Sequence, residues 1–328
     1  MALLGLTLVG IVALLASAAL TGLSLRALRR FGVYDRPNAR SLHTEAVPRG
    51  GGAAVVFVVL LIWAWLGWPL ARGEAALIGA ALLMAATGAL DDLKGLGWKP
   101  RLAAQAIAVG LAVFGAPWTP VILGGEFAWL DRLIVALAWL WFVNLYNFMD
   151  GIDGLAASET AFVGLGVVIV AAVAGFGAEL AAKSAVLAGA ALGFLAWNWH
   201  PARIFLGDVG SLTLGLLVGG LLIDLARADA LAAALILPGF FLFDASATLI
   251  RRTWRGVPFW RAHREHAYQR AVRAGMSHSG VVVLVGMLNL VLVALAIYSL
   301  AAPFIALALA AAATAGLAAW LSRRAPGE

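Results

Sequence analysis

The chain has 328 residues, of which 63% are apolar and only 12% are charged, whereas a soluble domain carries about 25% charged residues. This composition excludes a water-soluble globular protein and a disordered chain, because so much apolar surface can be neither hidden in one soluble core nor left in water. The lack of cysteine excludes disulfides, thiolate catalysis and cysteine-ligated zinc. The net charge of +6 comes from basic residues in short loops between apolar runs, a distribution that is typical of membrane topology and not of nucleic-acid binding.

Eleven apolar runs have about the length of a membrane-crossing helix, which needs roughly 20 residues. They predict an all-α polytopic integral membrane protein with about eleven transmembrane helices, in a single transmembrane domain over residues 1–328. The first run is expected to be retained, because no signal-peptidase site and soluble domain follow it. The runs are residues 3–25, 51–70, 75–90, 101–116, 131–148, 155–175, 180–198, 210–226, 230–250, 280–300 and 302–320.

Lysine and arginine are distributed unevenly between the two sides that these runs define. Nineteen of the 23 fall on one side, Arg40, Arg261 and Arg324 among them, and four fall on the other. The positive-inside rule places the first side in the cytoplasm, with the N-terminus outside and the C-terminus in the cytoplasm. The four residues on the outer side are Arg72, Arg132, Lys183 and Arg227. The predicted cytoplasmic loops are 26–50, 91–101, 147–154, 199–210 and 251–278.

The first cytoplasmic loop combines a polar stretch with a glycine run. The stretch is Asp35-Arg36-Pro37-Asn38-Ala39-Arg40-Ser41-Leu42-His43, and the run is Pro48-Arg49-Gly50-Gly51-Gly52. Basic side chains that lead into glycines are able to hold a diphosphate. Topology alone would also account for these arginines, so both interpretations stay open.

Two adjacent carboxylates, in Asp91-Asp92-Leu93-Lys94, end the third apolar run. Such a pair at a membrane boundary repels itself and is costly to desolvate, and a nearby cation would offset both costs. The pair is therefore either a magnesium or general-base site, or a solvated helix end with Lys94 as its charge partner.

The fifth run ends in Asn144-x-x-Asn147-x-x-Asp150-Gly-x-Asp153-Gly. The first three polar residues share one helix face, and Asp153 extends the row only if the helix continues past the first glycine. These oxygen-bearing side chains suit a hard cation, or a ribose and uracil edge. The alternative is a plain Asn- and Asp-rich turn, although such a turn does not need Asn144 and Asn147 inside an apolar run.

The eighth run opens with Phe205-x-Gly207-Asp208-x-Gly210-Ser211. The glycines let the backbone approach a ligand, and the helix N-terminus that follows Asp208 favours phosphate oxygens. The alternative is an ordinary helix cap by Asp208 or Ser211.

The longest cytoplasmic loop, 251–278, contains His263-Arg264-Glu265-His266. Histidine and arginine side chains can bind phosphate and sugar hydroxyls. A zinc site on the two histidines is disfavoured, because no third ligand has zinc-type spacing. A basic stretch lying on anionic lipid is the alternative.

Asp244 lies inside the ninth run, roughly two helical turns before Arg251. An acid within a membrane span is a functional-site hypothesis by default. The interpretation that we favour is structural support of a neighbouring helix.

Taken together and in this order, the motifs resemble those of the polyprenyl-phosphate N-acetylhexosamine-1-phosphate transferase family, of glycosyltransferase family 4 type. The resemblance extends from the first loop to the His-Arg-x-His loop. It implies a membrane enzyme of the bacterial inner membrane that passes sugar-1-phosphate from a UDP-N-acetylhexosamine to undecaprenyl phosphate, giving undecaprenyl-diphosphate-sugar and UMP. The last loop lacks the three consecutive histidines of the phospho-MurNAc-pentapeptide branch, which favours the branch that initiates O-antigen and related surface glycans.

The resemblance also implies roles for individual residues. Asp208 is expected to ligate Mg²⁺, or alternatively Mn²⁺, with Asn147 as co-ligand. Asp91 is expected to be the catalytic base toward the lipid phosphate, and Asp92 is expected to support either this base or the metal. The lipid phosphate is expected to bind Lys94 and Lys99. The nucleotide and sugar side is expected to consist of Asn144, Asp150, Asp153, Phe205, His263, Arg264 and His266, with Asp153 at the uracil edge and Phe205 stacked on the uracil.

Three other functions compete with this one. Phospho-MurNAc-pentapeptide transfer to the same lipid is the nearest, and an inactive membrane anchor is disfavoured by the intact acidic set. A polytopic transporter or lipid flippase should place its ionisable groups near the bilayer midplane and show repeat symmetry, whereas here they lie at one membrane face. The expected partners are the UDP-sugar, undecaprenyl phosphate and membrane lipid, without nucleic acid, and a homodimer is considered.

Overall fold

The structure is a computed structural model that describes residues 3–37, 42, 45–258 and 263–323. In these ranges the chain forms thirteen α-helices and one two-stranded antiparallel sheet, in which Tyr34 pairs with Pro48. The helices are α1 (Leu3–Phe31), α2 (Gly52–Leu66), α3 (Arg72–Lys94), α4 (Trp98–Phe114), α5 (Ala128–Met149), α6 (Leu155–Ala174), α7 (Ala178–Asn198), α8 (Asp208–Arg227), α9 (Leu231–Ile236), α10 (Gly239–Trp254), α11 (Ala267–Arg273), α12 (His278–Tyr298) and α13 (Pro303–Arg323). The strands are β1 (Tyr34–Asp35) and β2 (Val47–Pro48). Residues named in the sequence analysis that lie outside the described ranges are Asn38, Ala39, Arg40, Ser41, His43, Arg261 and Arg324.

Eight helices of the described ranges are long and apolar enough to cross a membrane: α1, α3, α5, α6, α7, α8, α12 and α13. The helix α2 is apolar but shorter, and α4 and α10 have 17 and 16 residues. The prediction of an all-α polytopic membrane protein is therefore confirmed. The count of eleven spans stays a prediction.

The ninth predicted run is not one continuous helix. It divides into α9, which ends at Ile236, and α10, which begins at Gly239. Pro238 lies between them, and a proline has no N–H with which to continue the hydrogen-bond ladder of a helix. The longer second part carries Asp244 toward the loop that follows.

The helix α8 lies at the centre of the bundle. Of its most apolar 18 residues 89% are buried, the largest share among the eight candidate spans, and α2, α3, α5 and α6 pack around it. Glycines permit the closest contacts: a methyl group on Gly52 of α2 would overlap the backbone of Gly210, and one on Gly88 of α3 would overlap the carbonyl of Asp208. Close packing through small residues is typical of helices in membranes.

Replacing Gly88 with alanine tests this close contact. We expect a loss of about 1–3 kcal/mol of stability, which is typical of overpacking, because the backbone of Asp208 cannot move aside. Gly79→Ala on the same helix is the matched control, since a methyl group there would meet only Leu111 Cδ2, at 3.5 Å. Thermal unfolding in detergent measures both variants, and equal midpoints would contradict the prediction.

The two ends of the bundle carry different charged groups. Lys183 of α7 pairs with Glu74 in the first turn of α3, at 2.7 Å, whereas Asp91 lies in the last turn of α3. Arg227 ends α8, and Asp208 begins it. The acids singled out from the sequence therefore gather at one end, and bases assigned to the outer side lie at the other.

Candidate active site

A cavity of about 600 Å³ opens at the acidic end of the bundle. Its walls come from the loop before α2, the junction of α3 and α4, the end of α5, the loop before α8, and the segments around α11 and the start of α12. Six of the predicted site residues line it: Asp91, Asn147, Asp150, Asp153, Phe205 and Asp208. Residues from far apart in the chain thus share one cavity.

Asp208, the first residue of α8, lies at the meeting point of three side chains. Its Oδ1 accepts a hydrogen bond from Asn147 Nδ2 at 3.0 Å and lies 3.3 Å from Arg49 Nη2. Its Oδ2 lies 3.5 Å from Arg101 Nη1. Asn147 also donates to Ser211 Oγ at 2.8 Å, which fixes the amide against α8. The expected metal ligands Asp208 and Asn147 are therefore direct neighbours.

Asp91 lies in the last turn of α3 with its side chain only 7% exposed. Gly95 adopts a left-handed conformation (φ 67°), which turns the chain back so that Leu96 N donates to Asp91 Oδ1 at 2.6 Å. The other oxygen pairs with Arg101 Nη1 at 2.9 Å. Arg101 therefore contacts Asp91 and Asp208 through the same nitrogen, and the two carboxyl groups also hydrogen-bond each other.

Asp92 has a different role from its neighbour in the chain. Its two oxygens accept hydrogen bonds from Asp208 N at 2.9 Å and Val209 N at 3.1 Å, and Arg49 Nε lies 2.7 Å away. Asp92 does not line the cavity. It satisfies the free N–H groups at the start of α8, so this helix is capped from α3 and not by Asp208 or Ser211.

The helix α5 ends at Met149 and does not continue past Gly151, so Asp153 does not extend the row of Asn144, Asn147 and Asp150. Asn144 donates to Leu140 O within the helix at 2.8 Å and is not part of the cavity lining. Asp150 follows the helix and lines the cavity. Burial raises the pKa of Asp150 well above its usual range, and the nearby carboxylate of Asp208 adds to the effect.

Asp153 is held by two histidines that the motifs did not include. Its Oδ2 contacts His200 Nδ1 at 2.6 Å and His278 Nδ1 at 3.3 Å, and it accepts from Ala202 N at 3.1 Å. Burial favours the neutral acid, but hydrogen bonds from His278 and His200 outweigh burial, so the pKa of Asp153 lies below its usual range. Two histidines and one carboxylate are also a zinc-type set. The 2.6 Å contact between His200 and Asp153 is a direct hydrogen bond, and we therefore interpret the group as a hydrogen-bonded cluster.

The three residues predicted from the 251–278 loop, His263, Arg264 and His266, do not line the cavity. His266 is only 2% exposed, and its ring stacks on that of Tyr268 with centroids 5.8 Å apart. Burial is the main cause that lowers the pKa of His263 to about 3 and that of His266 to about 4. Both histidines are therefore neutral at pH 7. Gln269, three residues after His266, lines the cavity instead.

Two arginines line the cavity, and the two predicted lysines do not. Lys94 and Lys99 are exposed, and Lys99 Nζ lies 5.7 Å from the ring centroid of Trp98. Arg49 and Arg101 both line the cavity. Arg49 is placed by backbone hydrogen bonds between its loop and the loop before α8, in which Phe205 N donates to Pro48 O at 2.8 Å. The only sequence signal for these arginines was their place next to a glycine run and an acidic pair.

Comparisons with known proteins give one family profile and several similar proteins. Residues 75–226 match the profile of the family described as glycosyl transferase family 4. A probable undecaprenyl-phosphate N-acetylglucosaminyl 1-phosphate transferase of Bacillus subtilis is 31% identical over 281 residues, which cover 82% of this chain and 77% of that protein. A decaprenyl-phosphate N-acetylglucosaminephosphotransferase of Mycolicibacterium smegmatis is 31% identical over 85% of this chain and 78% of its own length. A phospho-N-acetylmuramoyl-pentapeptide-transferase of Deinococcus radiodurans is 32% identical over 64% of this chain and 73% of its own length.

Proposed function

Because this chain belongs to glycosyl transferase family 4, we propose that it transfers N-acetylhexosamine-1-phosphate from a UDP-sugar to undecaprenyl phosphate. The products are undecaprenyl-diphosphate-sugar and UMP. The observation that carries the proposal is the convergence of Asp91, Asn147 and Asp208 with two arginines in one cavity at the helix ends. The names of two similar proteins contain N-acetylglucosamine, so UDP-N-acetylglucosamine is the first donor to test.

The residues around Asp208 suit a divalent metal ion. Mg²⁺ prefers oxygen ligands and one or two carboxylates together with substrate phosphates. Asp208 and Asn147 would hold the ion, and Asp91 lies beside them, in contact with Asp208 both directly and through Arg101. Bound there, Mg²⁺ would neutralise the negative charge of the donor diphosphate.

The side chains of the chain itself support an in-line phosphoryl transfer. Asp91 accepts a proton from the lipid phosphate, whose oxygen then attacks the β-phosphorus of the UDP-sugar. The bond from this phosphorus to the oxygen that joins it to the α-phosphorus breaks, and UMP leaves with that oxygen. Arg49 and Arg101, which contact the acids, offer positive charge for the transferring phosphoryl group. Lys94 and Lys99 remain predicted contacts of the lipid phosphate at the exposed rim.

The nucleoside is proposed to occupy the part of the cavity lined by Asp153 and Phe205. Phe205 supplies an aromatic face for the uracil, and Asp153, held in place by His200 and His278, meets the edge of the base. The protein is proposed to lie in the bacterial inner membrane with this cavity on the cytoplasmic side, where UDP-sugars are found, and with its N-terminus outside. We also propose that the reaction initiates the synthesis of O-antigen or a related surface glycan. The protein is proposed to be a homodimer.

Release of UMP from purified protein tests the function. With UDP-N-acetylglucosamine, undecaprenyl phosphate and Mg²⁺ we expect UMP to form, to stop when EDTA is added and to return when Mg²⁺ is restored. Omission of the lipid is the control, since simple hydrolysis of the donor would not need it. A panel of other UDP-sugars, with UDP-MurNAc-pentapeptide among them, separates the two transferase branches. Translocation of a substrate across proteoliposomes without UMP formation would contradict the proposal.

A further inference from the structure

Gln269 of α11 reaches the cavity from the 251–278 loop. In this loop the sequence predicted site residues only at two histidines and one arginine. Its side chain is 8% exposed and lines the cavity. Its Oε1 accepts a hydrogen bond from His266 N at 3.3 Å, so the amide nitrogen is turned the other way, where one of its two hydrogens faces the Tyr268 hydroxyl. A methyl group placed on Gly151 would lie 3.2 Å from Gln269 Nε2, which locates this nitrogen at the loop that carries Asp150.

Asp244 explains why the short helix α11 lies where it does. Its carboxylate, 2% exposed on α10, accepts hydrogen bonds from Ala267 N at 2.8 Å and Tyr268 N at 3.3 Å. Tyr268 Oη in turn donates to Phe148 O at 2.8 Å, at the end of α5. The helix α11 is therefore fixed at its start by α10 and along its side by α5.

We propose that Gln269 binds the nucleotide-sugar donor by donating an Nε2 hydrogen to one of its acceptor oxygens, and that Asp244 is a positioning residue that holds Gln269 at the cavity wall. The identity of the donor rests on the proposed function. A UDP-sugar offers phosphate, hydroxyl and acetamido oxygens, all of which accept hydrogen bonds. The Nε2 amide of Gln269 lies at the 150–153 loop and can donate to such an oxygen whatever the charge of the nearby carboxyl groups.

Gln269→Glu separates donor binding from a purely structural role. Glutamate keeps an acceptor for His266 N, as in an ordinary capping box, but it removes the N–H donors and adds a negative charge facing an anionic substrate. We expect KM and Kd for UDP-N-acetylglucosamine to rise about tenfold or more, with kcat changed much less and the unfolding midpoint lowered only by the lost contact with Tyr268. If Gln269 only caps its helix, this variant will bind the donor like the wild type, and the proposal is then overturned.

Asp244 variants test the positioning role. Asp244→Ala should raise KM in the same direction as Gln269→Glu, and Asp244→Asn, which keeps one acceptor oxygen, should restore part of the loss. In the double variant Asp244→Ala/Gln269→Glu the rise should be no larger than that of the more affected single variant, because both act through one contact. Arg273→Ala, at the exposed end of α11, is the control and should leave KM unchanged. Additive rises in KM in the double variant, or a loss in kcat alone, would contradict the positioning role. If Asp244→Ala does not fold, the comparison is made with Asp244→Asn.

Equilibrium binding keeps this inference separate from the proposed function. Binding of UDP-N-acetylglucosamine to the full chain in detergent is measured without the lipid acceptor. If the wild type binds the donor but releases no UMP, the proposed function fails and the role of Gln269 is still supported by weaker binding in Gln269→Glu. If UMP is released normally and Gln269→Glu binds the donor with wild-type affinity, the inference fails and the function stands.

Discussion

Asp208→Asn is expected to reduce the rate of UMP release by about 10³-fold. The substitution keeps the shape of the side chain but removes the charge that faces Arg49, Arg101 and the proposed metal ion. Loss of the charge stabilisation that a well-held metal provides is worth several kcal/mol, and about 4 kcal/mol corresponds to three orders of magnitude in rate. The measurement is kcat with saturating UDP-N-acetylglucosamine and undecaprenyl phosphate, together with the Mg²⁺ concentration that gives half-maximal rate.

Asp224→Asn is the matched control for this variant, because Asp224 lies on the same helix at the opposite end of the bundle. It pairs there with Arg227 at 3.2 Å and is far from the cavity. We expect normal turnover from Asp224→Asn, and unfolding midpoints close to that of the wild type for both variants. Normal turnover by Asp208→Asn would show that the metal assignment is wrong.

Asp91→Asn is expected to lower kcat by about 10²–10⁴-fold, the usual contribution of a general base. The backbone contact from Leu96 N survives, because the asparagine oxygen still accepts it, so the fold is expected to remain intact. The measurement is kcat at saturating substrates, with donor binding measured separately to show that the cavity still forms. A rate near that of the wild type would remove Asp91 as the base.

Asp92→Asn provides the comparison that this prediction needs. Asp92 accepts from two backbone N–H groups of α8 and pairs with Arg49, and one amide oxygen cannot replace both carboxylate oxygens. We therefore expect a lower unfolding midpoint together with lower activity, whereas Asp91→Asn should lose activity alone. If Asp92→Asn folds normally and Asp91→Asn is active, the base is to be sought at Asp92.

The gathering of the acidic residues was predictable from sequence, because it follows from two simple regularities. Apolar runs have a nearly fixed length in a bilayer, and basic loops identify one side of it. Asp91, Asn147 and Asp208 all lie at run ends on the same predicted side, and the structure places them around one cavity. The motifs predicted which residues meet, but not what each one contacts.

Asp91 and Asp92 make different contacts because their side chains point in different directions. The spacing of residues in the sequence does not reveal these directions. Adjacent residues on a helix point about 100° apart, so one reaches the cavity and the other reaches the start of α8. The contacts of Arg49 and Arg101 were likewise not predictable from the sequence, since the positive-inside rule counts charges without giving their contacts.

The histidine loop was the least predictable part of the site. Its path depends on α11, a helix of seven residues that is too short to leave a periodic signal and is held by Asp244 from another helix. The loop therefore turns His266 into the protein and Gln269 toward the cavity. The break of the ninth run at Pro238 has a local cause, and the proline itself was visible in the sequence.

The hydrogen bonds from Asp208 N and Val209 N to Asp92, and the lack of space at Gly88, join α3 and α8 into one stiff wall. A long-chain lipid cannot reach its reaction partner by parting these two helices. The wall would therefore keep Asp208 in place while the substrates of the proposed reaction enter and leave the cavity.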